Sequence, residues 1–150
     1  MSEEARVLVR RLEGYPADWD LPTYATSGSA AVDLRNAGPA LTLEPGARAL
    51  VPTGLAIALP AGMEAQVRPR SGLAIRQGIG MVNAPGTVDS DYRGEIKVPL
   101  INLDREAQTL AHGERIAQML VARVVRIATE PVSALPESGR GAGGFGSTGR

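Results

Sequence analysis

Apolar and polar residues alternate along several short stretches of this chain, and glycine or proline separates one stretch from the next. Within residues 64–68 and 95–100 every second side chain is apolar, whereas 49–51 and 55–59 are uniformly apolar runs. A period of two places apolar side chains on one face of a strand. Many short strands divided by frequent turns predict an all-β barrel or sandwich.

The stretch from residue 114 to residue 127 is ambiguous by pattern alone. It contains few helix breakers and many helix-forming residues, so propensity predicts a helix there. Its apolar residues, however, fall at both odd and even positions, which is typical of a strand that is buried on both faces. Periodicity does not distinguish these alternatives. Because the rest of the chain has a β pattern, we interpret residues 114–127 as a strand.

The last twelve residues, 139–150, differ from the rest of the chain in composition. Six of them are glycine, and Phe145 is the one large apolar residue among them. Such a segment offers too little apolar surface to pack as an element, so its composition predicts a mobile tail. The sequence therefore predicts a folded domain over residues 1–138 and a flexible arm over residues 139–150.

Composition limits what this chain of 150 residues builds. Hydrophobic residues make up 43% of it, enough for the core of one domain, but it has only one Trp, three Tyr and one Phe. The core must therefore be aliphatic, and 18 Gly and 11 Pro exclude a coiled coil. No apolar run reaches the roughly 18 residues of a membrane helix, and the first residues lack the long apolar segment of a signal peptide, so we expect none. We expect a cytoplasmic protein without a membrane partner.

Charged and metal-binding residues narrow the function. The 16 basic and 16 acidic residues give zero net charge, so the chain lacks the whole-surface field that would hold a nucleic-acid polymer. All the basic residues except Lys97 are Arg, whose planar fork suits small anions such as phosphate. Cys is absent and His112 is the one His, which excludes a disulfide framework and a thiolate or histidine zinc site.

Three motifs suggest chemistry without identifying it individually. The letters GAGGFG at 141–146 match a dinucleotide fingerprint, yet no helix and no acidic residue follow them. Their amides can surround phosphate oxygens, or the segment is a tail without a role. Residues 89–94 begin like a calcium loop but lack its later ligands, and they form either an acidic turn or a carboxylate held near substrate. Residues 69–74, PRSGLA, form either a capped turn or an anion-binding helix start.

Taken together and in order, five segments resemble the five motifs of the trimeric deoxyuridine triphosphatases (dUTPases). Each motif alone is a weak signal, but five in sequence, at fitting intervals over nearly the whole chain, are specific. One departure is Ala31, where the family usually has Gly. The segments are AAVDLRNA (30–37), PRSGLA (69–74), NAPGTVDSDYRGEIKV (83–98), GERIAQMLV (113–121) and RGAGGFGSTG (140–149).

The resemblance implies a jelly-roll-like, distorted β-barrel with one short helix, and it favours a strand for residues 114–127. It also implies a homotrimer with three shared active sites that hydrolyses dUTP to dUMP and pyrophosphate with Mg²⁺. This reaction limits uracil in DNA and supplies dUMP for thymidylate synthesis. The alternatives are a dCTP deaminase or bifunctional deaminase–dUTPase of the same fold, and a non-enzymatic nucleotide-binding relative. Asp89 and the complete glycine-rich tail favour the hydrolase over a deaminase, and the intact Asp89, Arg70 and Arg140 favour it over a non-enzymatic relative.

The family's site residues carry over onto matching positions of this chain. Asp89 matches the catalytic carboxylate that activates water, and Asp33 matches the first-motif carboxylate that contacts Mg²⁺ through water. Tyr92 is similar to the residue that packs under the deoxyribose and excludes a 2′-hydroxyl, and Phe145 to one that stacks on uracil as the arm closes. The other implied substrate-binding positions are Asn83, Thr87, Val88 and Lys97 at the uracil, Arg70, Ser71, Gly72 and Gln118 at the phosphates, and Arg140, Gly146, Ser147 and Thr148 in the arm.

Overall fold

The computed structural model describes residues 4–147 and 149. In this part of the chain ten β-strands and one short α-helix confirm the predicted all-β class. No helix in the described ranges is both long and apolar enough to cross a lipid bilayer. The elements are β1 (Leu8–Arg11), β2 (Val32–Arg35), β3 (Leu41–Leu43), β4 (Arg48–Ala58), β5 (Met63–Arg68), α1 (Ser71–Gln77), β6 (Ile79–Met81), β7 (Gly86–Val88), β8 (Glu95–Asn102), β9 (Gln108–Leu110) and β10 (Arg115–Arg123).

The strands form two four-stranded sheets and one two-stranded sheet. The first sheet has the order β1-β4-β8-β6, the second has the order β2-β10-β5-β7, and β3 pairs with β9. The pairings are antiparallel, and several of them join strands that are distant in sequence. This arrangement agrees with the predicted jelly-roll-like barrel, in which sequential strands cross between sheets.

Strand β4 is longer than the sequence predicted. The runs 49–51 and 55–59 were expected to be separate, but one strand passes through the intervening Pro-Thr-Gly segment. The pairing of β4 with β8 shifts register between Pro52 and Ala56, which is the mark of a β-bulge. Gly54 has φ +69° within this bulge, a conformation that favours glycine. The bulge therefore lets the strand continue through residues at which the sequence pattern predicted a break.

Strand β10 confirms the strand interpretation for most of residues 114–127. It occupies the middle of its sheet, pairing with β2 on one side and with β5 on the other. The strand ends at Arg123, and the apolar Val124, Val125 and Ile127 are exposed beyond it. The prediction was therefore too long by four residues at its C-terminal end, where Arg123 is the last residue with a partner on β5, and by one residue at its start.

The core is aliphatic, as the composition predicted. Among the described residues, the buried hydrophobic side chains are Leu, Ile, Val, Ala and Met, and they form one cluster between the sheets. The ring of Tyr15 packs against this cluster while remaining partly exposed. Aliphatic side chains fill a close-packed interior without requiring partners for polar atoms, so few aromatic residues do not prevent folding.

Two local structures fix the elements that carry the candidate site. The buried Asn36 amide donates to the carbonyls of Pro39 and Ala111, which holds the end of β2 against the turn before β10. Helix α1 begins directly after Arg70 and ends at Gly78, whose φ of +59° forms a left-handed cap. The single buried side chain of this helix is Leu73, so one apolar contact anchors it to the core.

Candidate functional site

A narrow cavity of about 170 Å³ lies between the hairpin that joins β7 to β8 and the neighbouring strands. Val88 is buried at the end of β7, and the next residue, Asp89, is exposed to solvent. Gly86 allows the side chain of Asn83 to lie close to the main chain, because a β-carbon there would lie 3.2 Å from Asn83 Nδ2. The lining residues are Val67, Met81, Asn83, Gly86, Thr87, Val88, Asp89, Tyr92, Glu95, Ile96, Lys97 and Pro99.

Tyr92 is held across this cavity by the hairpin itself. Its hydroxyl donates to the carbonyl of Glu95 at 2.9 Å, and its amide donates to the carbonyl of Asp89 at 3.1 Å. Gly94 allows the ring to fold back, because a β-carbon there would lie 2.6 Å from the Tyr92 Cζ atom. The ring remains 45% exposed, so one part of it is available to a ligand.

Glu95 and Lys97 form a polar wall of the same cavity. They are two residues apart on β8 and therefore share a face of the strand. Glu95 Oε2 lies 3.6 Å from Lys97 Nζ, and Glu95 Oε1 accepts a hydrogen bond from the Gly54 amide at 2.9 Å. The carboxylate thus connects the bulge of β4 to the cavity.

A second group of predicted site residues lies on β2, β10 and the start of α1. Asp33 accepts from Arg70 Nε at 2.9 Å with Oδ1 and from Arg115 Nη1 at 3.2 Å with Oδ2. Gln118 lies directly opposite Asp33 in the pairing of β2 with β10, and its Nε2 donates to the carbonyl of Pro69 at 2.8 Å. Two guanidinium groups and one carboxylate leave a net positive charge there, which suits an anion.

Ser71 and Gly72 begin α1 beside Arg70, as the PRSGLA motif predicted. A β-carbon at Gly72 would lie 2.9 Å from Arg76 Nη2, so glycine leaves room for that guanidinium. The side chain of Ser71 is exposed, and Ser71 and Gly72 occupy the first two positions of the helix. These are the positions at which helix N–H groups lack intrahelical partners and can donate to an anion.

The structure brings the predicted residues together in two separate groups. The hairpin group, defined as Asn83, Thr87, Val88, Asp89, Tyr92 and Lys97, lines one cavity. The phosphate group, defined as Asp33, Arg70, Ser71, Gly72 and Gln118, does not contribute to that cavity.

The described residues of the arm form a series of turns that are closed by hydrogen bonds within the arm. Arg140 Nε donates to the carbonyl of Gly143 at 2.6 Å, and the Ser147 amide donates to the carbonyl of Gly144 at 3.0 Å. The ring of Phe145 is fully exposed. Gly146 has φ +88°, and Thr148 lies outside the described residues.

Arg115 and Glu95 hold site residues in place although sequence reasoning did not single them out. The period of β8 does place Glu95 on one face with Lys97, so an alternation argument could have found it. Alternation places Arg115 on the opposite face from Gln118, and it therefore gave no signal for the contact with Asp33.

The donor chemistry of the phosphate group determines whether Mg²⁺ could be held there. In residues 4–147 and 149, no group of three or more His, Asp or Glu side chains could hold a metal ion. Magnesium is commonly held by one or two carboxylates together with phosphate oxygens and water, and it does not require an all-protein cage. Both oxygens of Asp33 already accept from guanidinium groups, which leaves lone pairs for a water molecule. This chemistry fits a carboxylate that contacts the ion through water.

A second cavity of about 350 Å³ lies between the segment after β1 and the Asp33–Arg115 pair. The Tyr15 hydroxyl donates to the carbonyl of Asp20 at 2.6 Å, and its ring packs edge-on against Trp19. Burial raises the pKa of the Tyr15 phenol, and the charge of Arg11 partly opposes this effect. The sequence assigned no role to residues 15–20. In the structure they form a wall of the cavity beside the phosphate group.

Comparisons with known proteins identify relatives that match most of this chain. The family described as dUTPase matches residues 17–149 of this chain. A deoxyuridine 5'-triphosphate nucleotidohydrolase from Anaeromyxobacter sp. (strain Fw109-5) is 58% identical over 144 residues, which cover 96% of this chain and 97% of the relative.

Solved structures give the same fold at lower identity. A mutant dUTPase of Staphylococcus bacteriophage 80alpha, bound to dUpNHpp, superposes with a TM-score of 0.85 at 21% identity and covers 97% of this chain and 99% of its own. A mutant dUTPase from phage phi11 of S. aureus, whose structure concerns a structural Mg(II) ion, has a TM-score of 0.76 at 18% identity, covering 88% of this chain and 99% of its own. The match of the family over most of the chain, together with the 58% identical relative, establishes that this chain belongs to the dUTPase family.

Proposed function

We propose that this chain hydrolyses dUTP to dUMP and pyrophosphate by attack of water on the α-phosphorus, with Asp89 as the general base. The observation that carries this mechanism is the hairpin cavity, where the exposed Asp89 carboxylate and the Tyr92 ring line one narrow space. A carboxylate beside a bound nucleotide can orient a water molecule and accept its proton as the phosphorus–oxygen bond forms. Pyrophosphate then leaves on the opposite side of the phosphorus.

The hairpin cavity also accounts for selection of the nucleoside. Tyr92 packs against the deoxyribose, so a 2′-hydroxyl would meet its ring. Asn83, Thr87 and Val88 surround the uracil edge, and the closeness of Gly86 to Asn83 leaves little room for a 5-methyl group. Lys97 supplies a cation at the same wall. Shape exclusion of this kind rejects an analogue by overlap with atoms that cannot move without disturbing the strand.

The phosphate group binds the triphosphate in this proposal. Arg70 donates as a fork, Ser71 and Gly72 donate from the first turn of α1, and Gln118 adds an amide beside them. Asp33 would hold Mg²⁺ through water, and the ion would supply counter-charge to the phosphates. The chain's own contribution is to hold these donors in position before the substrate arrives, which lowers the cost of ordering them.

We further propose that the active enzyme is a homotrimer in which neighbouring subunits share each active site. The cavity that the hairpin group lines includes no residue of the phosphate group, which supports assembly of the site from more than one subunit. The arm at 139–150 would close over such a site, with Phe145 on the uracil and Arg140, Gly146, Ser147 and Thr148 near the phosphates. Closure excludes water and completes the set of phosphate donors. A free nucleotide substrate favours a cytoplasmic location.

The test is pyrophosphate release from dUTP with Mg²⁺, measured beside UTP, dTTP and dCTP. We expect turnover of dUTP alone. Comparable turnover of UTP would contradict sugar selection by Tyr92, and ammonia release from dCTP would identify a deaminase instead. A chain that binds dUTP without turnover would be a non-enzymatic member of the family.

Removing residues 139–150 tests the arm separately. We expect a folded protein whose turnover of dUTP is severely reduced, because the phosphates lose donors and the site admits water. Circular dichroism and thermal unfolding provide the control for folding. Full activity of the shortened chain would show that the arm has no part in the reaction.

A further inference from the structure

An irregularity in β10 places Arg115 beside the phosphate group. Gln118 pairs with Asp33 of β2, but Arg115 pairs with Arg35, and the register shifts between Arg115 and Ala117. One additional residue, Ile116, is therefore accommodated in β10 opposite a regular stretch of β2. This is the geometry of a β-bulge, which re-aims the side chains on one side of it.

The bulge reverses the face on which Arg115 lies. In a regular strand Arg115 would share a face with Ala117, which is fully buried opposite Leu34. Ile116 and Ala117 are instead both buried, as expected when two adjacent residues oppose one position of the partner strand. Arg115 consequently joins the outer face of the sheet, where Asp33 and Gln118 lie.

From this position Arg115 makes two contacts that constrain Arg70. Its Nη1 atom donates to Asp33 Oδ2, and the other oxygen of that carboxylate accepts from Arg70 Nε. Its main-chain carbonyl also accepts a hydrogen bond from Arg70 Nη1 at 3.3 Å. Among contacts with described residues, Nη2 of Arg70 remains without a partner and can donate to a ligand.

We propose that Arg115 is a positioning residue, which fixes the Asp33 carboxylate and through it orients the Arg70 fork for the phosphates of the substrate. The inference rests on the proposed function. An arginine side chain loses much rotamer freedom when it binds, so prior ordering by a carboxylate reduces the cost of binding an anion. The Asp33 carboxylate also keeps two like charges close together, which leaves a net positive charge beside α1 for the phosphates.

The experiment measures the two halves of the substrate separately. Binding of pyrophosphate and of deoxyuridine is determined by calorimetry for the wild type, Arg115→Gln, Arg115→Lys and the matched control Arg105→Gln, an exposed loop residue. For Arg115→Gln we expect pyrophosphate binding about tenfold weaker, on the scale of one charge-assisted hydrogen bond, with deoxyuridine binding unchanged. Arg115→Lys should be intermediate, because lysine keeps the charge and lacks the fork. Arg105→Gln should bind both ligands as the wild type does.

Asp33→Asn distinguishes positioning from direct contact. If Arg115 acts through Asp33, Arg115→Gln should add little to the loss already caused by Asp33→Asn. A full tenfold loss in that background, equal weakening of both ligands, or unchanged pyrophosphate binding would each overturn the inference. Failure of the proposed function would be visible separately, as absence of pyrophosphate release from dUTP by a wild type that still binds pyrophosphate.

Discussion

Asp89 combines an exposed carboxylate with a fixed main chain. Its carbonyl accepts the Tyr92 amide, and the strand before it ends in the buried Val88. A base in this position has a defined direction relative to the cavity and still has access to water. Asp91, two residues later in the same turn, is also exposed but does not line the cavity. The two carboxylates therefore differ in what they face rather than in chemistry.

This difference gives the first prediction. Asp89→Asn should bind the non-hydrolysable imido analogue of dUTP and lose roughly two orders of magnitude or more in kcat, the scale of a lost general base. Asp91→Asn is the matched control and should keep nearly normal turnover. Steady-state pyrophosphate release and calorimetric binding measure the two effects. Near-normal kcat for Asp89→Asn would reject it as the base.

Tyr15 gives a prediction about stability and pH. Burial raises the pKa of its phenol above the ordinary value of about 10, so the folded protein favours the neutral form. This stabilisation is fully present below that ordinary value and is lost as the pH rises through the higher pKa of the folded state.

Tyr15→Phe should therefore be less stable than the wild type at neutral pH, by about 1 kcal/mol for the lost hydrogen bond to Asp20. The difference should shrink as the pH is raised beyond about 10, because only the wild type has the phenol to ionise. Urea unfolding at a series of pH values measures both free energies, and groups common to the two proteins cancel in the comparison. A constant difference up to strongly alkaline pH would contradict this account.

At the scale of elements, the bulge of β4 connects the core to the hairpin cavity. Gly54 has φ +69°, and a β-carbon there would lie 3.1 Å from the main chain of Tyr15. Its amide donates to Glu95, whose carboxylate reaches Lys97. A change in this bulge should consequently affect both stability and the nucleoside cavity.

Gly54→Ala should destabilise the protein by more than the roughly 1–2 kcal/mol that a left-handed alanine costs. Gly62→Ala is the control, since Gly62 has φ +80° but nothing within 4 Å of its added β-carbon. Both substitutions introduce left-handed backbone strain, but only Gly54→Ala also brings a β-carbon against Tyr15. The difference between their free energies of unfolding in urea therefore measures the effect of that close contact. We also expect a raised KM for dUTP in Gly54→Ala alone. Equal destabilisation by the two substitutions would show that the approach of Tyr15 does not matter.

The sequence predicted regular elements better than irregular ones. Alternation identified β5 and β8, because each has one buried face and therefore a clear period of two. The bulges in β4 and β10 were not predicted, since a bulge depends on how two strands pair and the pattern of one strand does not record it. Gly54 was interpreted as part of a break and Arg115 received no role for this reason. The candidate site residues could be identified from the motifs. The residues that hold them in place could not, because their roles arise from tertiary contacts.

At the scale of the whole molecule, the few aromatic residues lie outside the aliphatic core. Tyr92 lines the hairpin cavity, Trp19 packs against His112 beside the phosphate group, and Phe145 is carried by the arm. Exposed apolar residues also remain beyond β10, where Val125 and Ile127 are almost fully exposed in the single chain. Exposed apolar surface of this kind is typical of regions that are covered by another subunit.

Mixed oligomers test whether subunits share each active site. Asp89→Asn damages the hairpin group and Arg70→Gln damages the phosphate group, so each variant alone should be nearly inactive. If a site takes one group from each of two neighbouring subunits of a cyclic trimer, every mixed trimer has one of its three sites with both groups intact, so about a third of the sites in doubly tagged trimers should be active. Co-expression of the two variants with different tags, purification through both tags and measurement of dUTP turnover provide the test. As a control, dUTP turnover should not recover when every chain carries both substitutions, because no subunit then supplies an intact group. Activity that stays at the level of the separate variants, in a verified mixed oligomer, would place both groups of a site within one chain.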